Sequence, residues 1–250
     1  MTILGFNTYG SENWTKWTKD VLDFGGIDTC DAISYHNYEK NMTGFPGDNI
    51  ERAYQAAMGP IITKLGRVPK PVWMSEGAPQ SGDVSNGFYR YTLPYENGND
   101  NWRIADRLAR FVITHKANGE AHEFLYTMHG HSTFGGDVEF TTLVTVDGYL
   151  HPCAAAHSAL AWLLEDTKFV KRVTLADGVF AYLFAGGDRA VAAITSKPTH
   201  IAYVLPAAQG LQLLDLFGNS PAPDEAIDDH VHYALCNAGL EKLQAALGVK

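Results

Sequence analysis

The first 128 residues alternate between short apolar runs and longer segments of helical spacing, and this alternation restricts the fold more than any other feature. Runs of strand length stand at Ile3 to Asn7, Cys30 to Tyr35, Val72 to Ser75 and Glu123 to Met128. Helical segments lie between them. Ser11 can cap a helix from Glu12 to Phe24 that carries Trp14, Trp17, Val21 and Phe24 on one face. Asp48 and Glu51 form a capping-box pair ahead of a helix from Ile50 to Leu65, with Ala53, Ala57 and Ile61 in one row and a kink expected at Gly59-Pro60. Trp102 to Ala117 carries the stripe Ile104, Leu108, Phe111, Val112 and His115, and Asn118-Gly119 ends it. Pro152 suits the first turn of a helix running to Leu164. Strands separated by helices imply parallel βαβ units. Trp14, Trp17 and Trp162 fall on helical stripes and are assigned to the core.

From Lys168 the texture changes. Phe169 to Leu175, Val179 to Phe184, Ala190 to Thr195, His200 to Leu205 and Leu211 to Leu216 read as strands, with turns such as Ala176-Asp177-Gly178 and no helix between them. That pattern predicts an antiparallel domain, closed by a short helix at Leu240 to Leu247. The expected division is residues 1–166 as an α/β unit and 167–250 as a small antiparallel β-sandwich.

The chemistry centres on Lys70-Pro71-Val72-Trp73-Met74-Ser75-Glu76-Gly77. A buried strand that ends on Glu and leaves through Gly delivers one carboxylate to the open end of a parallel sheet, where α/β barrels keep their active sites. Ser75, and Tyr35 or Tyr38, are placed to donate hydrogen bonds to it. The strand before it exits through His36-Asn37-Tyr38. The loop from Ala78 to Asp100 is long and holds Phe88, Tyr89, Tyr91 and Tyr95, as functional loops often do. Trp73 serves either as packing or as a stacking ring for a ligand, and Tyr89 and Tyr91 are candidate aromatic platforms or loop anchors.

Composition narrows the partners. A formal charge of −9 argues against nucleic acid, which selects a basic face. No apolar run is long enough to span a bilayer, so no membrane partner is expected. Cys30, Cys153 and Cys236 are far apart and odd in number, with neither metal nor disulfide spacing. His36, His122, His129 and His131 raise the alternative of a metal site, but imidazoles serve the hydroxyls of a neutral ligand equally well. The leading reading needs neither metal nor cofactor.

Ser34-Tyr35-His36-Asn37-Tyr38, then Pro71 to Glu76, then Phe124-Leu125-Tyr126 resemble the last strands of a clan A retaining glycoside hydrolase. Asp147-Gly148, Pro152 and Ala154-Ala155-Ala156 followed by Leu160 to Leu164 resemble the final barrel helix of such enzymes, and Leu214 to Asn219 a strand of their accessory β-sandwich. The resemblance implies a partial (β/α)₈ barrel comprising the last four βα units. It implies Glu76 as nucleophile at the end of the seventh strand, with His36 and Tyr38 after the sixth and His129 and His131 after the eighth, all facing an oligo- or polysaccharide. Many members carry a Trp platform where this chain has His129 and His131.

One departure matters. The family's acid/base Glu ends the fourth strand, and this chain opens on what corresponds to the fifth. The expectation is therefore an incomplete barrel with little activity alone, which depends on a separate N-terminal half or on self-association through open sheet edges. An export signal would lie upstream, so the compartment is left open. The alternative is a non-catalytic carbohydrate-binding or assembly module.

Overall fold

The computed structural model describes residues 1–9, 12–39, 47–79, 100–126, 143–144, 148–196, 210–220 and 230–249. The strand expected at His200 to Leu205 lies outside them. In chain order the first part comprises β1 (Leu4–Tyr9), α1 (Glu12–Asp23), β2 (Ala32–Glu39), α2 (Gly47–Leu65), β3 (Val72–Pro79), α3 (Asp100–Ala117), β4 (His122–Leu125) and α4 (Pro152–Leu164). The second part comprises β5 (Lys168–Ala176), β6 (Val179–Gly186), β7 (Arg189–Ser196), β8 (Leu211–Leu214), β9 (His232–Cys236) and α5 (Leu240–Leu247). The chain is thus a mixed α/β protein with one parallel and one antiparallel sheet.

The parallel sheet has the order β1-β2-β3-β4, each strand beside its successor. Its helix-facing side is the core expected from the apolar runs. Ile33, Tyr35, Val72 and Met74 pack against Ala57, Met58 and Ile61 of α2 and Phe111 of α3. Full burial of a side chain such as Phe111 contributes about 1.5–3 kcal/mol. α2 runs through Gly59-Pro60 as one helix.

Helix α1 departs from its expected stripe. Thr18 and Leu22 are buried, Trp17 is 41% exposed with its edge against Phe6, and Phe24 is 91% exposed. The helix ends at Asp23 and Gly25 adopts φ 77°, so Phe24 leaves before another helical turn could bring it onto the sheet. In α3 the expected Leu108, Phe111 and His115 are buried, and so are Ala105, Ala109, Ile113 and Thr114. The helix is enclosed on most of its circumference because it lies between the two sheets.

The antiparallel sheet has the order β5-β6-β7-β9-β8. Tyr182, Phe184, Val191, Ala193, Tyr233 and Leu235 face α3 and α4, while Ala181, Leu183, Ala192 and Ala234 face Leu243 and Leu247 of α5. Among the described residues, helices rather than a second sheet cover both its faces. Strand β9 was not anticipated from the sequence, yet it is central, paired with both β7 and β8. Asp106 ties α3 to this sheet, accepting from the Val231 N–H at 2.7 Å and from Arg110 Nε at 2.6 Å. Arg110 in turn donates to the Ser196 carbonyl at 2.9 Å. Trp162, assigned to the core from its stripe, instead points outward from α4, with the Arg189 guanidinium 4.8 Å from its ring centroid. Cys30, Cys153 and Cys236 are free and buried, and burial pushes the Cys153 thiol up to about 12. No helix among the described residues is long and apolar enough to cross a membrane.

Candidate active site

Strict alternation along β3 would point Glu76 the wrong way. Val72 and Met74 face the helices and are buried there, and a period of two would place Glu76 next in that row, inside the apolar core. The pairing shows why it is not. Tyr35 pairs with Met74 and His36 with Glu76, so β2 advances one residue where β3 advances two. On the other side Met74 pairs with Glu123 and Gly77 with Leu125, so β4 advances two where β3 advances three. Ser75 is the extra residue against both neighbours. Such a bulge reverses the facing of every side chain after it, and bulges are rare in parallel pairs. Glu76 is thereby turned to the face opposite Met74, where His36 stands beside it.

The carboxylate is half-exposed there, with 38% of its side chain accessible. The Tyr38 hydroxyl donates to Glu76 Oε1. His36 Nε2 lies 3.8 Å from Oε2, close enough for charge interaction and too far for a hydrogen bond. The Tyr38 ring meets Tyr126 of the segment after β4 edge-on, with centroids 6.4 Å apart. Trp73 has its ring engaged, edge-to-face with His122 at 4.3 Å and stacked on Phe124 at 5.9 Å. The C-terminal halves of β2 and β3 therefore bring together Glu76, His36 and Tyr38. These lie within the strands rather than at or after their ends, because the ladder continues to Glu39 and Pro79, and Trp73 stands three residues before Glu76 on β3. His129, His131, Tyr89 and Tyr91 lie outside the described residues. Among the described residues no three His, Cys, Asp or Glu side chains gather to hold a metal ion.

Two of the expected hydrogen-bond donors are oriented otherwise. Ser75 Oγ donates to the Tyr35 carbonyl at 3.4 Å. Tyr35 faces the helices, and its hydroxyl donates to Glu120 Oε1 at 2.6 Å. Desolvation, and then the Glu120 charge, push the Tyr35 phenol well above its ordinary value, so it remains a donor.

Glu120 belongs to a buried network that the sequence did not reveal. His115 Nδ1 stands 2.8 and 2.9 Å from the two Glu120 oxygens, and Asn37 Nδ2 lies 3.1 Å from His115 Nε2. Glu123, on the same side of the sheet, has Oε2 shut off from solvent with no hydrogen-bond partner among the described residues. Burial, reinforced by the neighbouring Glu120, pushes its carboxyl well above the usual range, while Lys116 opposes the shift. The only sequence signal for Glu120 was its place directly after the Asn118-Gly119 helix stop, five residues beyond a histidine on the buried stripe.

The arrangement suits a carboxylate that must be reachable by a substrate yet held in one direction. A side chain with one oxygen bonded by a phenol, and the other within hydrogen-bond distance of no donor among the described residues, can attack an electrophilic carbon or take up a proton.

No protein-family model matches the chain. No curated protein matches it in sequence. Solved structures do. A family 39 glycoside hydrolase from the gut symbiont Bacteroides cellulosilyticus WH2 is similar with a TM-score of 0.60 at 19% identity, over 87% of this chain and 46% of that one. A family 30 subfamily 8 xylanase from Clostridium acetobutylicum is similar with a TM-score of 0.50 at 12% identity, over 94% of this chain and 53% of that one. At such identities the likeness concerns fold, and the fold of this chain is related to that of glycoside hydrolases. The chain spans about half the length of each of these structures.

Proposed function

We propose that this chain carries the nucleophile side of a retaining glycoside hydrolase acting on the O-glycosidic bonds of an oligo- or polysaccharide. The observation that supports this most is the bulge at Ser75, which turns Glu76 out of the core to stand beside His36 and Tyr38 in the C-terminal half of its strand. A bulge interrupts the strand ladder at some cost, and here it re-aims a carboxylate.

In this reading Glu76 attacks the anomeric carbon as the bond to the leaving oxygen breaks, giving a glycosyl ester on Oε1 or Oε2. Water then attacks the same carbon, the ester bond breaks, and the carboxylate is restored. A second carboxyl group, about 5–5.5 Å away, protonates the leaving oxygen and later takes the proton from water. Tyr38 holds the nucleophile in line, His36 and Trp73 face the sugar, and Tyr89, Tyr91, His129 and His131 are its further candidate ligands from the sequence. The parallel sheet is then the last four βα units of a (β/α)₈ barrel, and the second carboxyl belongs to strands that complete it across the edges at β1 and β4. Those strands come from a segment other than these four βα units, which a second copy would only repeat. Without that acid, turnover of unactivated glycosides falls by about 10²–10⁴-fold.

The test uses substrates that need no acid. Dinitrophenyl 2-deoxy-2-fluoro glycosides have a leaving group that departs unprotonated, and their glycosyl esters hydrolyse slowly. A panel of xyloside, glucoside and arabinofuranoside probes, with peptide mass spectrometry, should locate an adduct on Glu76 that Glu76→Gln lacks. No adduct from any probe, or one on another residue, rejects the proposal. Oligosaccharide binding without an adduct selects the non-catalytic carbohydrate-binding alternative.

A further inference from the structure

We infer that Glu120 and His115, buried on the far side of the sheet, are positioning residues that set the Glu76 site through Asn37; this rests on Glu76 being the reacting group. Both side chains are fully buried. Asn37 Nδ2 can only donate, so His115 Nε2 must accept and Nδ1 must carry the proton. Glu120 enforces that tautomer by receiving the Nδ1–H on its carboxylate, at 2.8 and 2.9 Å. Glu120 is itself held by the Tyr35 hydroxyl at 2.6 Å and by Asn118 Nδ2 at 3.4 Å.

The chain of contacts ends where it has leverage. Asn37 lies between His36 and Tyr38, the two residues that approach Glu76. Its side chain is anchored to α3 and its main-chain carbonyl abuts the α-carbon of Gly77, the residue after Glu76. Fixing Asn37 therefore fixes the residue on each side of it, and the strand on which the carboxylate sits. Stability alone does not call for such a network. Replacing both partners of a buried hydrogen bond by apolar groups of similar shape is often nearly neutral. Here the polar groups give the C-terminal half of β2 one direction, with Glu120 and His115 holding it at Asn37 and, by the Tyr35 hydroxyl, two residues earlier.

Amide hydrogen exchange tests this on the whole chain, independently of any activity. In Asn37→Ala and in Glu120→Gln, the amides of residues 37–39 and 76–78 should exchange about tenfold faster than in the parent once global stability is matched by urea, as losing one local hydrogen bond predicts. Amides of the antiparallel sheet should follow global stability only. A uniform change, or none at these positions, overturns the inference, because a merely structural role would lower global stability without this local pattern. Should neither variant fold, nitrogen-15 spectra of the parent decide: His115 must be protonated on Nδ1 and accepting on Nε2 at neutral pH, and the opposite tautomer refutes the clamp. Labelling of the parent by the fluoro-glycoside probes reports separately on Glu76, so the two readings fail by different observations.

Discussion

Replacing Gly77 by Ala probes whether the close approach of β2 and β3 pins the bulge, and with it the direction of Glu76. A methyl group at this position would stand 2.6 Å from Met74 Sδ and 3.1 Å from the Asn37 carbonyl carbon, and nearer still to its oxygen, where ordinary contacts begin at 3.4 Å. Met74 is fully buried and has little room to swing, and the Asn37 carbonyl is main chain. The strands must therefore part, and the pairs His36–Glu76, Asn37–Gly77 and Tyr38–Ala78 take the strain. Overpacking of this kind costs about 1–3 kcal/mol, and one lost backbone bond about 0.5–1.5 kcal/mol more, so the variant should be about 1.5–4.5 kcal/mol less stable. That is a large share of the roughly 5–15 kcal/mol by which a domain is folded. Urea unfolding followed by circular dichroism reads the loss, and the rate of fluoro-glycoside labelling reads the displacement of Glu76. A variant within about 0.5 kcal/mol of the parent, labelled at the parent's rate, would show that the contact does not govern the bulge.

Two further outcomes follow from the buried charges. The Glu123 carboxyl has its folded-state value raised, so the folded chain holds a proton that the unfolded chain releases, and stability falls as pH rises above the ordinary carboxylate value of 4.5. Glu123→Gln should therefore match the parent near pH ~4 and be more stable by about 1–2 kcal/mol near pH ~8; parallel melting-temperature profiles for the two proteins would refute this. Asp106→Ala removes the acceptor shared by the Val231 N–H and Arg110 and leaves a nearly buried guanidinium without its carboxylate. A loss of about 3–5 kcal/mol in urea unfolding is expected, and a loss below about 1 kcal/mol would mean that another group takes over.

The alternation of strands and helices was legible because each element of the parallel sheet is buried on the helix side by its own local pattern. Val72 and Met74, or Ala57 and Ile61, show their facing within a few residues. That Glu76 belongs to the strand opening at Val72 was legible for the same reason, although β3 does not end there and runs on to Pro79. Its direction was not, since the bulge at Ser75 is defined by what β2 and β4 do opposite it. Helix α4 shows the limit differently. Leu160, Ala161, Trp162, Leu163 and Leu164 are apolar in succession, so no sequence bias distinguishes the covered face from the face that carries Trp162. Strand β9 is short and follows Asp228-Asp229-His230, and its central place depends on partners far away in sequence. The His115–Glu120 pair escaped notice because a histidine on an apolar stripe reads as core, and only the fold supplies its carboxylate.

Helix α3 is a party wall. Its Phe111 belongs to the core under the parallel sheet, and its Ala105, Leu108, Ala109 and Ile113 to the core over the antiparallel one. His115, one turn on from Phe111, reaches back to Asn37. A substitution at Tyr182 or Tyr233 therefore lies only one helix diameter from the strand that presents Tyr38 and His36. The small C-terminal sheet thus works as a buttress, and repacking it is a way to shift β2, and with it His36 and Tyr38, without touching a single residue there.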